Sequence, residues 1–155
     1  MTETLISDTT LVANAFFLDI DGKPLTMLTG VSGLESGVEV TEVVQTSAQG
    51  KMIAIRTLGA KQKTNTLTLT RLAVVKSEDD GIWKWFKSTS EKGSLKDARK
   101  TGAIVIFGAD GVELARWSFT GGWVSKIAFD SLDVGTGSPV KETITLETDT
   151  LVRTK

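Results

Sequence analysis

The chain has 155 residues, the length of one ordinary domain, and its 18 basic and 19 acidic side chains leave a formal net charge of −1. It contains neither cysteine nor histidine, which excludes disulfide scaffolds, thiolate or imidazole metal sites, cysteine nucleophiles and serine–histidine–aspartate triads. The balanced charge also lacks the basic excess with which proteins neutralise nucleic-acid phosphates. We therefore expect a protein that is not an enzyme and that uses neither a cofactor nor a metal.

One domain is expected over residues 1–155, with residues 1–14 as an N-terminal arm ahead of the first predicted strand. The arm lacks the basic region and the apolar run of a secretory signal. Nowhere in the chain do about 18 apolar residues follow one another, the length that a membrane-spanning helix needs. We therefore expect neither a signal peptide nor insertion into a membrane.

Short runs with period-2 alternation, the pattern of half-buried strands, dominate the first half of the chain. Ala15–Ile20 is the first predicted strand, and the turn sequence DGKP leads to a partner strand over residues 25–29. The glycine-interrupted residues 30–37 predict a loop. Val38–Thr46 and residues 51–58 are both strongly β-prone and are separated by SAQG, which predicts a long hairpin.

A helix is predicted after the strand at residues 65–71. Ser77 or Asp79 is expected to cap its start, and a Lys-Gly pair at residues 92–93 is expected to end it. Apolar residues at i, i+3 and i+4 form one stripe along it, namely Ile82, Trp85 and Phe86.

Strands resume after the helix and continue to the C-terminus. An Asp-Gly pair predicts a hairpin turn at residues 110–111. The predicted strands are residues 103–107, 112–119, 123–129, 131–134 and 142–152. The sum is a mainly β protein, an antiparallel β-sandwich or barrel with one packed α-helix.

Two acidic groups admit a metal-binding interpretation. Asp19 and Asp21 faintly resemble the start of a calcium loop, but the later oxygen ligands are missing, so a hairpin turn is favoured. Glu78, Asp79 and Asp80 are interpreted as surface acids at a helix start, where they match the helix dipole.

The four tryptophans offer a rival function. Trp85 lies on the helix stripe and Trp117 in an apolar strand, so both are expected in the core. Trp83 and Trp123 are interface anchors in one interpretation. In the alternative they form the binding surface of a monomeric, lectin-like β-sandwich module.

Two predicted strands, residues 65–71 and 142–152, carry threonine-rich faces opposite apolar ones. In a monomer such a face is merely solvated, and the residues alone favour that interpretation. In a closed ring it would line a wet bore, because hydroxyl groups hold water and carry no fixed charge. The candidate bore residues are Thr66, Thr68, Thr70, Thr143, Thr145 and Glu147.

Short motifs follow one another in a fixed order across residues 16–152. They are FLDIDG at residues 17–22, VSGL at 31–34, VEVTE at 38–42, a lysine-bearing turn at 61–63, NTLTLTR at 65–71, WKW at 83–85, GVE at 111–113 and RWSF at 116–119, followed by Trp123 and Lys126. In this order the motifs resemble the inner tail tube proteins of contractile-tailed phages and of phage-derived extracellular contractile injection systems, fold relatives of the type VI secretion ring protein. The chain departs from the family pattern in several loops, such as GGWV at residues 121–124.

The resemblance implies a two-sheet β fold whose copies join edge to edge in a hexameric ring. Rings would stack into a tube inside a sheath and conduct DNA or protein cargo. The implied partners are other copies of the chain, the sheath protein, and baseplate, hub and tube-terminating proteins. Assembly is expected in the bacterial cytoplasm, for a phage virion tail or an injection particle. We expect the long hairpin to contribute contacts between subunits or rings, through Gln45, Thr46, Ser47, Gln49, Lys51 and Met52.

Overall fold

Ten strands, one α-helix and one 3-10 turn form the described part of the chain. The computed structural model describes residues 11, 13–62, 64–93, 95–96, 98–135 and 137–155, so most of the predicted N-terminal arm and Lys63 of the predicted turn lie outside it. The 3-10 turn spans Ser77–Asp79 and helix α1 spans Gly81–Lys92. The strands, in chain order, are β1 (Ala15–Ile20), β2 (Lys23–Leu28), β3 (Gly30–Ser32), β4 (Val38–Thr46), β5 (Met52–Gln62), β6 (Asn65–Leu72), β7 (Lys100–Phe107), β8 (Glu113–Phe129), β9 (Lys141–Thr148) and β10 (Thr150–Arg153).

The strands pair antiparallel in two sheets that share β8. The first sheet has the order β2-β1-β7 and then the first half of β8, along which β10 also pairs. The second sheet has the order β3-β6-β9 and then the second half of β8. Among the described strands, β4 and β5 pair only with each other and form a separate hairpin.

One core fills the space between the two sheets and α1. Leu18 and Ile104 of the first sheet, Leu69 and Ile144 of the second, and Ile82 of α1 are all fully buried in it. Burial of side chains of this size stabilises the fold by about 1.5–3 kcal/mol each. The prediction of a mainly β, antiparallel sandwich or barrel with one packed helix is confirmed.

The helix begins later than either predicted cap implies, by three residues for Ser77 and by one for Asp79. Asp80, and neither Ser77 nor Asp79, is the N-cap, and its carboxylate accepts a hydrogen bond from the backbone N–H of Trp83 at 3.0 Å. Ser77 and Asp79 belong instead to the preceding 3-10 turn. Gly93 ends the helix in the left-handed conformation, with φ of 58°, as its position predicts.

The predicted strands 112–119 and 123–129 are a single strand, β8. Gly121 has φ of 62°, and the pairing of β8 with β7 ends at Gly122. These glycines allow β8 to bend and pass from the first sheet into the second. The two strands were predicted as separate because a Gly-Gly pair interrupts the period-2 alternation.

Strands β2, β5 and β7 differ from prediction only in their bounds, and three other segments differ in kind. The expected loop 30–37 begins with strand β3, because this stretch pairs along the edge of β6. The expected strand 131–134 is an exposed loop, since no described strand lies beside it. The expected strand 142–152 is broken into β9 and β10 at Asp149, whose backbone N–H bonds to the Thr120 carbonyl at 3.0 Å.

Candidate functional site

The predicted bore residues lie together on one face of the second sheet. Directly opposed residues of antiparallel strands share a face. Thr66 bonds across the strands, from its hydroxyl to a carboxylate oxygen of Glu147 at 2.7 Å. The opposed pairs on β6 and β9 are Thr66 with Glu147, Thr68 with Thr145, and Thr70 with Thr143.

The same face continues onto the neighbouring strands. On β8, Trp123 opposes Glu147 and Lys126 opposes Thr145, and on β3, Ser32 opposes Thr68. Sequence reasoning did not assign Lys126 or Trp123 to this face, because a bulge between Val124 and Lys126 shifts the alternation of β8. We call the whole surface the polar face.

The polar face is not covered by the helix. Leu67 and Leu69 of β6 point into the core together with Ile82 and Trp85 of α1, so the threonines of β6 point the other way. Thr66 is exposed. The other five candidate bore residues are half-buried, so water reaches this face.

The second sheet ends in two strand edges. At one side β3 pairs only with β6, and at the other side the second half of β8 pairs only with β9 among the described strands. Such edges present backbone N–H and C=O groups that can pair with another chain. All neighbouring strands of this sheet are antiparallel.

The β4–β5 hairpin stands away from both sheets. Its described side chains on β4, and those on β5 up to Leu58, are all exposed. They include eight large apolar residues that cover both faces of the hairpin: Val38, Val40, Val43, Val44, Met52, Ile53, Ile55 and Leu58.

The predicted contact residues form the tip of this hairpin. Thr46 opposes Met52, and Gln45 precedes Thr46 on β4. A tight turn closes the tip, because the Ser47 N–H bonds to the Lys51 carbonyl at 2.7 Å and the Ser47 hydroxyl accepts from the Lys51 N–H at 3.1 Å. Gln49 is exposed within the turn.

A buried charge cluster links the second sheet to the helix. Arg71 of β6 is only 2% exposed and donates from Nε to Glu142 of β9 at 2.6 Å. It also forms a bidentate pair with the Asp80 cap, at 3.0 and 2.7 Å, and bonds to the Thr26 hydroxyl of β2 at 3.1 Å. The interpretation of Asp80 as a surface acid is therefore wrong.

Hydrogen bonds favour the charged forms of Asp80 and Arg71. Burial raises the pKa of Asp80, but hydrogen bonds from Arg71 and from the Trp83 N–H outweigh it and leave that pKa below its ordinary value. Burial likewise lowers the pKa of Arg71, but hydrogen bonds to Asp80 and Glu142 outweigh it and raise that pKa. The cluster positions α1 on the sheet.

The remaining candidates are the two acidic groups and the exposed tryptophans. Asp21 and Gly22, both at positive φ, form the hairpin turn between β1 and β2 that the sequence favours over a calcium loop. Within the described residues, no group of three or more acidic side chains could hold a metal ion. Trp83 packs edge to face on Phe86, with ring centroids 6.2 Å apart, and the two rings line an open surface groove. This groove alone does not support the lectin-like alternative.

No described helix has both the length and the apolar character that crossing a membrane requires.

Several solved structures share the fold of this chain. A chain of the PVC sheath–tube complex, an extracellular contractile injection system in the extended state, has a TM-score of 0.73 at 15% identity, covering 99% of this chain and 98% of that one. A chain of the anti-feeding prophage tube-terminating cap has a TM-score of 0.68 at 14% identity, covering 97% and 98%. Hcp1 from Flavobacterium johnsoniae has a TM-score of 0.52 at 16% identity, covering 91% and 95%. At these identities the similarity shows the fold.

Sequence comparison supplies the family. No curated protein matches the chain. Residues 12–152, nearly the whole chain, match the family of the T4-like virus tail tube protein gp19. The resemblance drawn from the ordered motifs is therefore confirmed, and the protein belongs to the T4-like virus tail tube protein gp19 family.

Proposed function

We propose that this protein is the subunit of the inner tube of a contractile tail or injection system. Its copies close into six-membered rings, the rings stack into a hollow tube, and the chain has no catalytic role. The observation that carries the proposal is the second sheet. It combines a continuous polar face with a strand edge at each side that no described strand pairs.

Ring closure follows from pairing these edges. The second half of β8 of one copy would pair with β3 of the next, which removes both edges. Because the sheet has an even number of antiparallel strands, β3 of the next copy runs antiparallel to β8, so the alternation continues around the ring. No strand direction has to be violated at any junction.

The size of the barrel follows from the strand number. Six-fold symmetry was applied to the structure of a similar chain, in the anti-feeding prophage baseplate. Six copies of a four-stranded sheet give a barrel of 24 strands. With strands about 4.8 Å apart and tilted by about 40°, the barrel is roughly 50 Å across, measured between backbones. Barrels of this size enclose an aqueous channel rather than a packed core.

The polar face would line that channel. Threonine hydroxyls hold water without the charge that would retain a charged cargo. Lys126 and Glu147 add opposite charges to this face. Such a bore suits the passage of DNA or protein cargo, and β10 with the rest of the first sheet would lie outside it.

The proposed partners are inferred from the assemblies in which chains of similar fold occur. They comprise a sheath around the tube, a tube terminator or cap, and a baseplate. The subunits would assemble in the bacterial cytoplasm and end up in a phage tail or an injection particle.

Electron microscopy of the purified protein tests the proposal. We expect rings or stacked tubes in negative stain, and a sizing-column mass that is a multiple of the 16.6 kDa chain. A protein that remains monomeric at all concentrations and shows no rings would contradict it.

A further inference from the structure

We infer that the exposed side of α1 binds an acidic segment of the sheath protein. This inference rests on the proposed function and deepens it, because it names the surface and the charge by which the sheath would recognise the tube. The surface consists of two grooves that flank α1 and share Lys84 as a common border. We call it the helix surface.

The helix surface points away from the proposed bore. Ile82 and Trp85 attach α1 to the core side of the second sheet, and the polar face is the opposite side of that sheet. With the polar face lining the bore, the exposed side of α1 lies on the outside of the tube. A sheath that surrounds the tube would therefore meet this side of the subunit.

The first groove combines aromatic rings with cations. It has a volume of about 450 Å³, and its lining includes Trp83, Phe86, Lys84 and Lys87. Both rings are only half-buried, and the indole N–H of Trp83 has no acceptor among the described residues. Tryptophan is enriched at protein interfaces because its ring packs while its N–H donates a hydrogen bond. The groove therefore offers an incoming segment both packing and a donor.

The second groove adds another lysine and a hydroxyl group. It has a volume of about 290 Å³, and its lining includes Leu25, Trp85, Ser88, Lys84 and Lys100. The Nζ atom of Lys100 lies 5.6 Å from the centroid of the Trp85 ring, which is a cation–π distance. Lys100 is half-buried and forms no ion pair within the described part of the chain. A carboxylate of a second protein would supply the missing counter-charge.

The charge of the helix surface identifies an acidic occupant. Of the described residues that border the two grooves, Lys84, Lys87 and Lys100 are basic and only Glu78 is acidic. Lys87 also lies 3.8 Å from Glu91, but both of those side chains are exposed, so water screens the pair. The surface is therefore positive overall. Complementary charge gives a protein interface its specificity, which favours a partner segment rich in Asp or Glu.

Photo-cross-linking identifies the occupant directly. The photoreactive amino acid benzoylphenylalanine replaces Trp83, and the variant is expressed together with the other proteins of its assembly. We expect ultraviolet light to join it to the sheath protein, through a peptide that contains Asp or Glu. The same amino acid in place of Thr66, which is exposed on the polar face, is the control and should not reach the sheath. A cross-link from position 83 to another tube subunit, to a terminator or to a sheath peptide without acids would overturn the inference.

Charge reversal tests whether the contact holds the sheath. Lys84→Glu places an acid near the N-terminus of α1, where the helix dipole favours it, so circular dichroism should show a folded protein. We expect tubes of normal length in negative stain, but about tenfold fewer of them with a sheath, because like charges across an interface are strongly unfavourable. The matched control is Arg153→Glu, which reverses an exposed cation on β10 of the first sheet. It should leave the sheathed fraction unchanged.

A compensating substitution in the sheath separates charge from shape. Replacement of the cross-linked sheath acid by lysine should restore the sheath on Lys84→Glu tubes. A normal sheathed fraction for Lys84→Glu, or no restoration by the compensating lysine, would overturn this inference and leave the tube function standing. Failure of the unmodified chain to form any ring or tube would overturn both.

Discussion

At the scale of single residues, Arg71 is the clearest departure from a simple strand pattern. The alternation that places Leu67 and Leu69 in the core also places Arg71 there. A buried guanidinium is acceptable only because Asp80 and Glu142 pair with it. The sequence could not predict this cluster, since Glu142 lies on a strand that meets β6 only in the folded sheet.

Removal of Arg71 should be strongly destabilising. Arg71→Met leaves the fully buried Glu142 and the Asp80 cap without their cation, and breaking such a buried pair costs about 3–5 kcal/mol. The measurement is urea unfolding at one fixed protein concentration, because association adds to apparent stability.

The control is an ion pair of the same type on the surface. Lys87 lies 3.8 Å from Glu91 on the exposed side of α1. Lys87→Met should lower the free energy of unfolding by about 0.5 kcal/mol or less. Equal losses of unfolding free energy for Arg71→Met and Lys87→Met would show that the buried cluster stabilises the fold no more than a surface ion pair does.

The same cluster should make stability depend on acid pH. The pKa of Asp80 is lowered by folding, so the unfolded state binds more protons. Its contribution to stability is therefore present above the ordinary pKa of 3.8 and is lost as the pH falls through the lower folded pKa.

The matched variant for this dependence is Asp80→Asn. Asparagine still caps a helix but does not titrate, so the variant should be less stable near neutral pH and should lose less stability on acidification. Urea titrations between pH 6 and pH 2 compare the two proteins. Parallel stability curves would exclude Asp80 as a source of the pH dependence.

At the scale of elements, local patterns predicted most strands and the helix. Ala15–Ile20 and Val38–Thr46 have the predicted bounds, and the threonine alternation of β6 predicted its two faces. The bend in β8 and the break at Asp149 were not predicted. Both occur where the chain passes between sheets, and a local sequence window contains no information about that passage.

Of the glycines at the bend, Gly121 should cause the largest loss of stability when it is replaced. It has φ of 62°, and a Cβ there would overlap the Asp149 carboxylate, which pairs with Arg99. Gly121→Ala should therefore cost the left-handed backbone penalty of about 1–2 kcal/mol and a further loss from displacing Asp149.

Gly111→Ala is the control for this substitution. Gly111 also has positive φ, at 78°, but nothing lies within 4 Å of a Cβ at that position. Thermal or urea unfolding should show the larger loss for Gly121→Ala. A larger loss at Gly111 would mean that the Asp149 contact does not matter.

At the scale of the whole molecule, the surfaces that we propose to function are strand edges and faces that no described strand or helix covers. Composition excluded cysteine and histidine chemistry but gave no sign of a ring. The threonine residues alone favoured a solvated monomer face, and only the ordered motifs pointed to a bore. Neither the threonine pattern nor the ordered motifs placed Trp123 and Lys126 on the polar face. The register of the second sheet places them there, beside a β8 edge that no described strand pairs.

A cryo-electron microscopy map of the assembled protein tests the central claim most directly. We expect a six-membered ring in which the second half of β8 pairs with β3 of the neighbouring copy, and in which the side chains of Thr68 and Thr145 face the bore. A ring in which Thr68 and Thr145 face outward or are buried against another subunit would contradict the account.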